Sequence, residues 1–293
     1  MDFLVRFWGT RGSIPTPGHS TKRYGGNTSC VEVRVDGTLF ICDGGTGLRE
    51  LGMHLVQQDD TPIEAHMFFS HMHWDHIQGF PFFVPAYSGK NQLHVYEVGE
   101  TEDRIKRLLH GQMKDDYFPV KFSELGAQIH SQRLHEPTSS ADGVEIGYFE
   151  QNHPGTSYAY SFSKGGRKVV YATDNEIDLT LANREASLES PRLVRQIPDA
   201  FVEFVRGADL LIADGQYTED EYAHKVGWGH ARANTVVDLA VQAGVKQCAV
   251  YHHDPMHSDA VVDQIIAEAN QRVADQNAST TIFGAREGLT IKL

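Results

Sequence analysis

Residues 71–76 read His-Met-His-Trp-Asp-His, which places four metal-capable side chains, His71, His73, Asp75 and His76, within six positions. Imidazole combined with carboxylate suits zinc and its neighbours among the first-row metals. Four such ligands are too many for one tetrahedral ion that also keeps an open position, whereas two ions side by side would use them all. The apolar run 65–69 precedes the cluster, and a second apolar segment, 77–84, broken by Gly79 and Pro81, follows it. The pattern predicts a buried strand whose end delivers ligands into a loop. With 16 histidines in 293 residues some clustering is ordinary. Three of them with an aspartate in this fixed arrangement is a far more specific signal.

A two-ion site needs further ligands, and three later positions close apolar, strand-like runs that could aim a side chain at a shared cleft. His153 follows the run 146–150, Asp174 follows 169–172, and His252 follows 248–251 with His253 beside it. Of that last pair His252 is the preferred ligand. His257 is more distant and could simply cap the final helix. Asp214 closes the run 210–213; it could orient a ligand histidine from behind or cap the turn that follows. The loops 10–18 and 23–28, rich in Gly, Pro and small polar residues, offer backbone N–H groups to a phosphate, with Arg11 and Arg23 as candidate side-chain contacts.

The elements that must position these residues follow from periodicity. Strand-like segments occupy 3–8, 30–35, 38–43, 64–70 and 92–98, and Asp36-Gly37 is a hairpin turn between two of them. A helix is expected over 48–57, and another after a Thr101 cap, with Ile105, Leu108 and Leu109 on one face. The second half gives strands at 145–150, 157–163 and 167–172, with a turn at Lys164-Gly165-Gly166. A polar, helix-prone stretch from about 176 to 206 comes next, and 175–207 could form a helical lid; then come a strand at 209–213, a helix near 232–243 and a strand at 247–251. Ser258 caps a long helix that buries Val262, Ile265, Ile266, Ala269 and Val273. A last strand pair is expected at 280–283 and 289–292. Two halves, each of strands followed by helices, suggest an α/β fold of two packed sheets with helices outside.

No Pro/Ser-rich linker, low-complexity run or charge block divides the chain, so residues 1–293 are read as a single domain. An apolar fraction of 40% is enough for a real core. No apolar stretch is long enough to span a bilayer, and the alternating start lacks the features of a signal peptide. Cys30, Cys42 and Cys248 sit far apart in apolar runs and read as buried free thiols, which suggests a reducing cytoplasm. The net charge of −13 weighs against binding of long nucleic acids, which depends largely on Lys and Arg contacts to phosphates. Bound cations could still attract a small anionic substrate.

The pattern His71-x-His73-x-Asp75-His76, followed by His153, Asp174 and His252, resembles the metallo-β-lactamase superfamily over most of the chain. The resemblance implies an αββα sandwich of two mixed sheets with outer helices. It implies two zinc ions, with manganese or iron as alternatives: one held by His71, His73 and His153, the other by Asp75, His76 and His252, and Asp174 bridging. Asp43, in Phe40-Ile41-Cys42-Asp43-Gly44-Gly45, resembles the aspartate that supports this site without binding metal. The opening Trp8-Gly9-Thr10-Arg11-Gly12-Ser13-Ile14-Pro15 and the pair Gly229-His230 resemble the branch containing tRNase Z and small cyclic-nucleotide phosphodiesterases. By that resemblance His230 would protonate the leaving oxygen. Trp228-Gly229-His230-Ala231-Arg232 departs from the branch's usual Gly-His-Ser-Thr, and only 20 residues separate His153 from Asp174, where many tRNase Z enzymes carry a long Gly/Pro-rich arm.

The expectation is therefore a dinuclear zinc-dependent phosphodiesterase acting on a small phosphodiester, with a cyclic nucleotide first. A hydroxide between the ions would be the nucleophile and His230 the general acid. The alternatives are an RNA 3′-end endonuclease, a lactone, thioester or β-lactam hydrolase, and a nucleotide-binding sensor without turnover. Homodimers are common in the resembling branch, but no interface is legible in the sequence.

Overall fold

The computed structural model describes residues 2–58, 60–98, 103–134 and 139–293. In chain order the described strands are β1 (Phe3–Gly9), β2 (Cys30–Val35), β3 (Thr38–Cys42), β4 (Glu64–Phe68), β5 (Gln92–Glu97), β6 (Gln128–Arg133), β7 (Ser139–Ala141), β8 (Val144–Asn152), β9 (Thr156–Lys164), β10 (Arg167–Ala172), β11 (Leu210–Asp214), β12 (Gln247–Tyr251), β13 (Thr281–Gly284) and β14 (Thr290–Lys292). Two compact units emerge: Met1–Pro17, Gly25–Asp142 and Arg286–Leu293 form the first, and Gly18–Tyr24 with Gly143–Ala285 form the second.

The first unit carries a mixed sheet in the order β14-β1-β2-β3-β4-β5-β6. The ladder is antiparallel from β14 to β3 and parallel from β3 to β6. Asp36 and Gly37 turn β2 into β3 with φ of 50° and 92°, the positive pair that a two-residue hairpin of matching twist requires. Leu48, Leu51 and Leu55 of the helix Gly47–Gln58 and Ile105 and Leu109 of the helix Arg104–Gln112 recur at helical spacing. They pack on Leu39, Ile41, Ala65, Met67, Leu93 and Val95 of the sheet. Residues of the opposite register, such as Phe40 and Phe68, are buried too, which is why these strands read as continuous apolar runs. The expected cap at Thr101 lies outside the described residues.

The second sheet runs β13-β12-β11-β10-β9-β8-β7. It is parallel from β10 to β13 and antiparallel from β8 to β10, with Gly165 and Gly166 at φ of 56° and 79° in the β9–β10 hairpin. The helices Asp199–Val205, Ala233–Gln242 and Asp259–Asp275 cover the face that carries Val170, Ala172, Leu211, Ala213, Cys248 and Val250. Ser258 caps the last of these helices through the Val261 amide. Its Ile265 is buried on the core side, and truncation to Ala there costs about 2–5 kcal/mol. The three cysteines are free and buried; burial raises all three thiols, Cys248 to about 12.

Two expectations are corrected. The last two strands do not pair with each other: Thr281–Gly284 continues the parallel ladder beside β12, whereas Thr290–Lys292 runs antiparallel to β1. Alternation marks a strand but does not name its neighbour. The stretch 176–206 is not a lid either. It folds into short helices and the segments between them, and Ile177, Leu181, Ile197, Phe201, Val202 and Val205 belong to the second unit's core. Among the described residues no helix is long and apolar enough to cross a membrane.

Candidate metal centre

In the first unit the ligand candidates stand at the carboxyl ends of β3 and β4. Asp43 directly follows β3 with φ of 61°, a left-handed conformation that turns its side chain sharply out of the strand. Its Oδ2 accepts from His76 Nδ1 at 2.7 Å and from the Ser70 hydroxyl at 2.8 Å, and its Oδ1 accepts from the Ser70 amide at 2.7 Å. Ser70 Oγ lies 3.0 Å from His71 Nδ1. Because the Ser70 proton goes to Asp43, the network places a proton on Nδ1 of both His71 and His76 and leaves Nε2 of each as the electron-pair donor. His76 Nε2 lies 3.1 Å from Asp75 Oδ2, and the rings of His71 and His73 are 4.4 Å apart. The hexapeptide loop is laced to the turn after β3: Gly44 N donates to His76 O, and Gly79 N to Gly44 O. A Cβ on Gly79 would fall 1.9 Å from Gly45 O, so only glycine allows this approach.

The second unit repeats the device at the ends of β8, β10, β11 and β12. Asp174 and His252 follow their strands with φ of 49° and 60°, again left-handed. With Asp43 they are three strand-end residues in a sparsely populated conformation, the kind of local strain that collects at functional sites. His252 Nδ1 donates to Gln216 Oε1 at 2.9 Å, and His153 Nδ1 donates to Gly229 O at 2.9 Å. Their Nε2 atoms lie 3.2 Å and 3.8 Å from the Asp174 carboxylate. His153, Asp174 and His230 also offer ligand atoms within 4.8 Å of one another. His230 Nδ1 donates to Asp214 Oδ2 at 2.8 Å, and its ring stacks on His252 with centroids 5.0 Å apart.

The donor chemistry of each cluster fits a divalent cation. Imidazole Nε2 lone pairs face carboxylates within each unit, an arrangement of acceptors that repel one another unless positive charge sits among them. Every outer nitrogen described above is held by a carboxylate, carbonyl, hydroxyl or amide oxygen, the support that metal-bound histidines commonly have.

Other residues stand elsewhere. His253 Nε2 donates to Ala285 O at 2.8 Å and its ring meets Tyr24 edge-on, away from Asp174's partners. His257 does not cap the last helix; it lies 2.7 Å from Glu221 Oε1. Arg11 is fully buried, 0% exposed, and its Nε donates to Gly25 O, while Arg23 pairs with Asp263 and Asp259. The Arg11 guanidinium therefore fastens the protein itself, whereas that of Arg23, half exposed, bonds Asp263 and the Asp259 carbonyl. The Ser13 amide, in the loop read as a phosphate contact, donates to Asp75 Oδ2 at 2.8 Å. Asp214 serves His230, and it also accepts from the Gln216 amide of the following turn. Sequence reasoning missed Ser70, Gln216 and Glu176. Glu176 accepts from the amides of Gly227 and Gly229, each at 2.7 Å, and from the Tyr222 hydroxyl at 2.8 Å. The only sequence signal for these residues is their place one or two positions from a strand-end candidate: His71 for Ser70, Asp174 for Glu176 and Asp214 for Gln216.

The family model for the beta-lactamase superfamily domain matches residues 38–253. The chain belongs to the metallo-β-lactamase superfamily. The ribonuclease Z of Haloarcula marismortui is 23% identical, covering 92% of this chain and 91% of its own length. The metallo-beta-lactamase fold protein YhfI from Bacillus subtilis aligns with a TM-score of 0.70 at 20% identity, over 100% of this chain and 99% of that one. The short form of human tRNase Z gives 0.64 at 16%, over 98% of each. The superfamily's αββα class, two mixed sheets flanked by helices, is the class observed.

Proposed function

We propose that the chain is a dinuclear metal-dependent phosphodiesterase that cleaves RNA in the manner of ribonuclease Z. Superfamily membership makes it a metal-dependent hydrolase. The observation that carries the reading is the repeated support of ligand histidines through Nδ1, by Ser70 and Asp43 in one cluster and by Gly229 O and Gln216 in the other. On the superfamily's pattern His71, His73 and His153 would hold one ion and Asp75, His76 and His252 the second, with Asp174 serving both. We propose zinc, with manganese or iron as alternatives. When bound, such a pair of ions lowers the pKa of water towards about 7 and neutralises charge on the phosphoryl group.

The chain's own residues supply the rest. Asp214 fixes His230 through Nδ1 and directs Nε2 outward, where it can protonate a departing alkoxide. Gly229 O orients His153 from the same loop. RNA takes precedence over the cyclic nucleotide first expected because a relative named ribonuclease Z matches about nine-tenths of both chains. A second reading, a cyclic nucleotide or other small phosphodiester, has a specific observation in its favour: the two-residue turn of the β9–β10 hairpin leaves no inserted arm between His153 and Asp174. The buried free thiols support the cytoplasmic place we propose for either activity.

Zinc- or manganese-loaded protein offered precursor tRNA with a 3′ trailer, cyclic mononucleotides and cyclic dinucleotides tests the choice. Endonucleolytic cleavage of the precursor supports the first reading. Turnover of cyclic nucleotides alone moves the assignment to the second, and ring-opening of lactones with no phosphodiester cleaved removes both.

A further inference from the structure

The loop that carries His230 presents an indole to solvent. Trp228 is 61% exposed, an unusual place for the largest apolar side chain, and it stands two residues before the acid candidate. Its backbone is firmly held. The Glu176 carboxylate accepts from Gly227 N with one oxygen and from Gly229 N with the other, both at 2.7 Å, so the two amides flanking Trp228 are fixed by a single side chain. Trp228 N donates to Lys225 O at 3.1 Å. Gly227 and Gly229 adopt φ of 86° and 91°, and a Cβ on Gly229 would fall 2.3 Å from His153 Nδ1. The same tight passage thus seats the ligand histidine and turns the indole outward. Lys225 Nζ lies 5.9 Å from the indole centroid, is held at 2.9 Å by Asp254 and sits over Tyr217 as well, which closes one side of the loop.

We infer that Trp228 is a stacking platform for a nucleobase next to the scissile phosphodiester. The inference rests on the phosphodiesterase reading and deepens it, since RNA and cyclic nucleotides alike carry a base beside the reacting phosphate. A rigidly mounted aromatic face binds any base through its π surface, and such stacking changes binding by roughly tenfold or more per base. It needs no positive surface, and so suits a chain of net charge −13. A hydrophobic residue exposed only for want of room inside would not need both neighbouring amides clamped.

The test compares wild type with Trp228→Ala and Trp228→Phe on two diesters that share a leaving group, thymidine 5′-(p-nitrophenyl phosphate) and ethyl p-nitrophenyl phosphate. The ratio of kcat/KM values, thymidine over ethyl, is expected to fall about tenfold in Trp228→Ala, mainly through KM, and to recover in Trp228→Phe. A ratio unchanged in Trp228→Ala overturns the inference. A readout independent of turnover is the fluorescence of the metal-loaded protein titrated with 5′-AMP: quenching is expected in wild type and is lost in Trp228→Phe, where Trp8 and Trp74 still emit. Equal quenching in the two proteins overturns the platform even if diesters are cleaved. Quenching confined to wild type, with no diester cleaved, keeps the platform and rejects the phosphodiesterase reading.

Discussion

At the residue scale, each candidate ligand histidine has a named partner at Nδ1 or a place inside the hexapeptide, and the acid candidate has its own carboxylate. Asp214 accepts from His230 Nδ1 and so sets which nitrogen faces the substrate. Asp214→Asn keeps the size but weakens the acceptor and admits the wrong tautomer. It is expected to lower kcat by about 10- to 100-fold with metal content maintained. Steady-state kinetics at saturating substrate beside metal analysis checks this, and a loss of metal in parallel with kcat would move Asp214 to a structural role. The ligand candidates stand out in the sequence because their types are rare and their strand-end positions are visible as the stop of an apolar run. Ser70, Gln216 and Glu176 were not legible: a serine, a glutamine or a glutamate near a strand end is ordinary, and its meaning depends on what the fold brings within hydrogen-bond reach. Arg11 shows the converse, a charged loop residue that reads as substrate-facing and is buried in service of the loop.

At the element scale, the strands determine where the site can be. Parallel strands release their carboxyl ends on one side, and Asp43, Asp174 and His252 all turn left-handed just beyond such an end. The opposite ends are fastened by charge. Asp209, just before β11, accepts from the Lys168 amide, from Arg167 and from Lys246, at the starts of β10 and β12. Burial pulls its carboxyl upward, but these donors outweigh burial and hold it below the ordinary 3.8. A carboxyl depressed on folding adds stability above its unfolded pKa, and that stability is lost as pH falls through the lower folded value. Asp209→Asn should therefore cost about 1–3 kcal/mol at about pH 6 and distinctly less at about pH 3. Urea unfolding at the two pH values measures the gap; an equal cost at both would contradict the assignment. Element positions along the chain were largely legible from periodicity. Element partners were not, as the separation of β13 and β14 into different sheets shows, because pairing is decided by the crossover helix Asp259–Asp275 and by β1, not by the strands' own residues. β6 escaped notice for another reason: Gln128–Arg133 is polar and mostly exposed, so no apolar alternation marks it.

At the scale of the whole molecule, both units build their clusters with one device, a carboxylate beside imidazoles whose outer nitrogens are tied down. We propose that seven residues, His71, His73, Asp75, His76, His153, Asp174 and His252, serve one hydrolytic centre that needs two ions. The most direct measurement is metal content by mass spectrometry after zinc loading, taken with hydrolysis of bis-(p-nitrophenyl) phosphate, for wild type, His71→Ala and Asp174→Ala. About two zinc ions are expected per wild-type chain, fewer in both variants, and a rate at least about 100-fold lower in each. One zinc ion or fewer in an active wild-type chain, or variants that keep wild-type turnover, would contradict the two-ion centre.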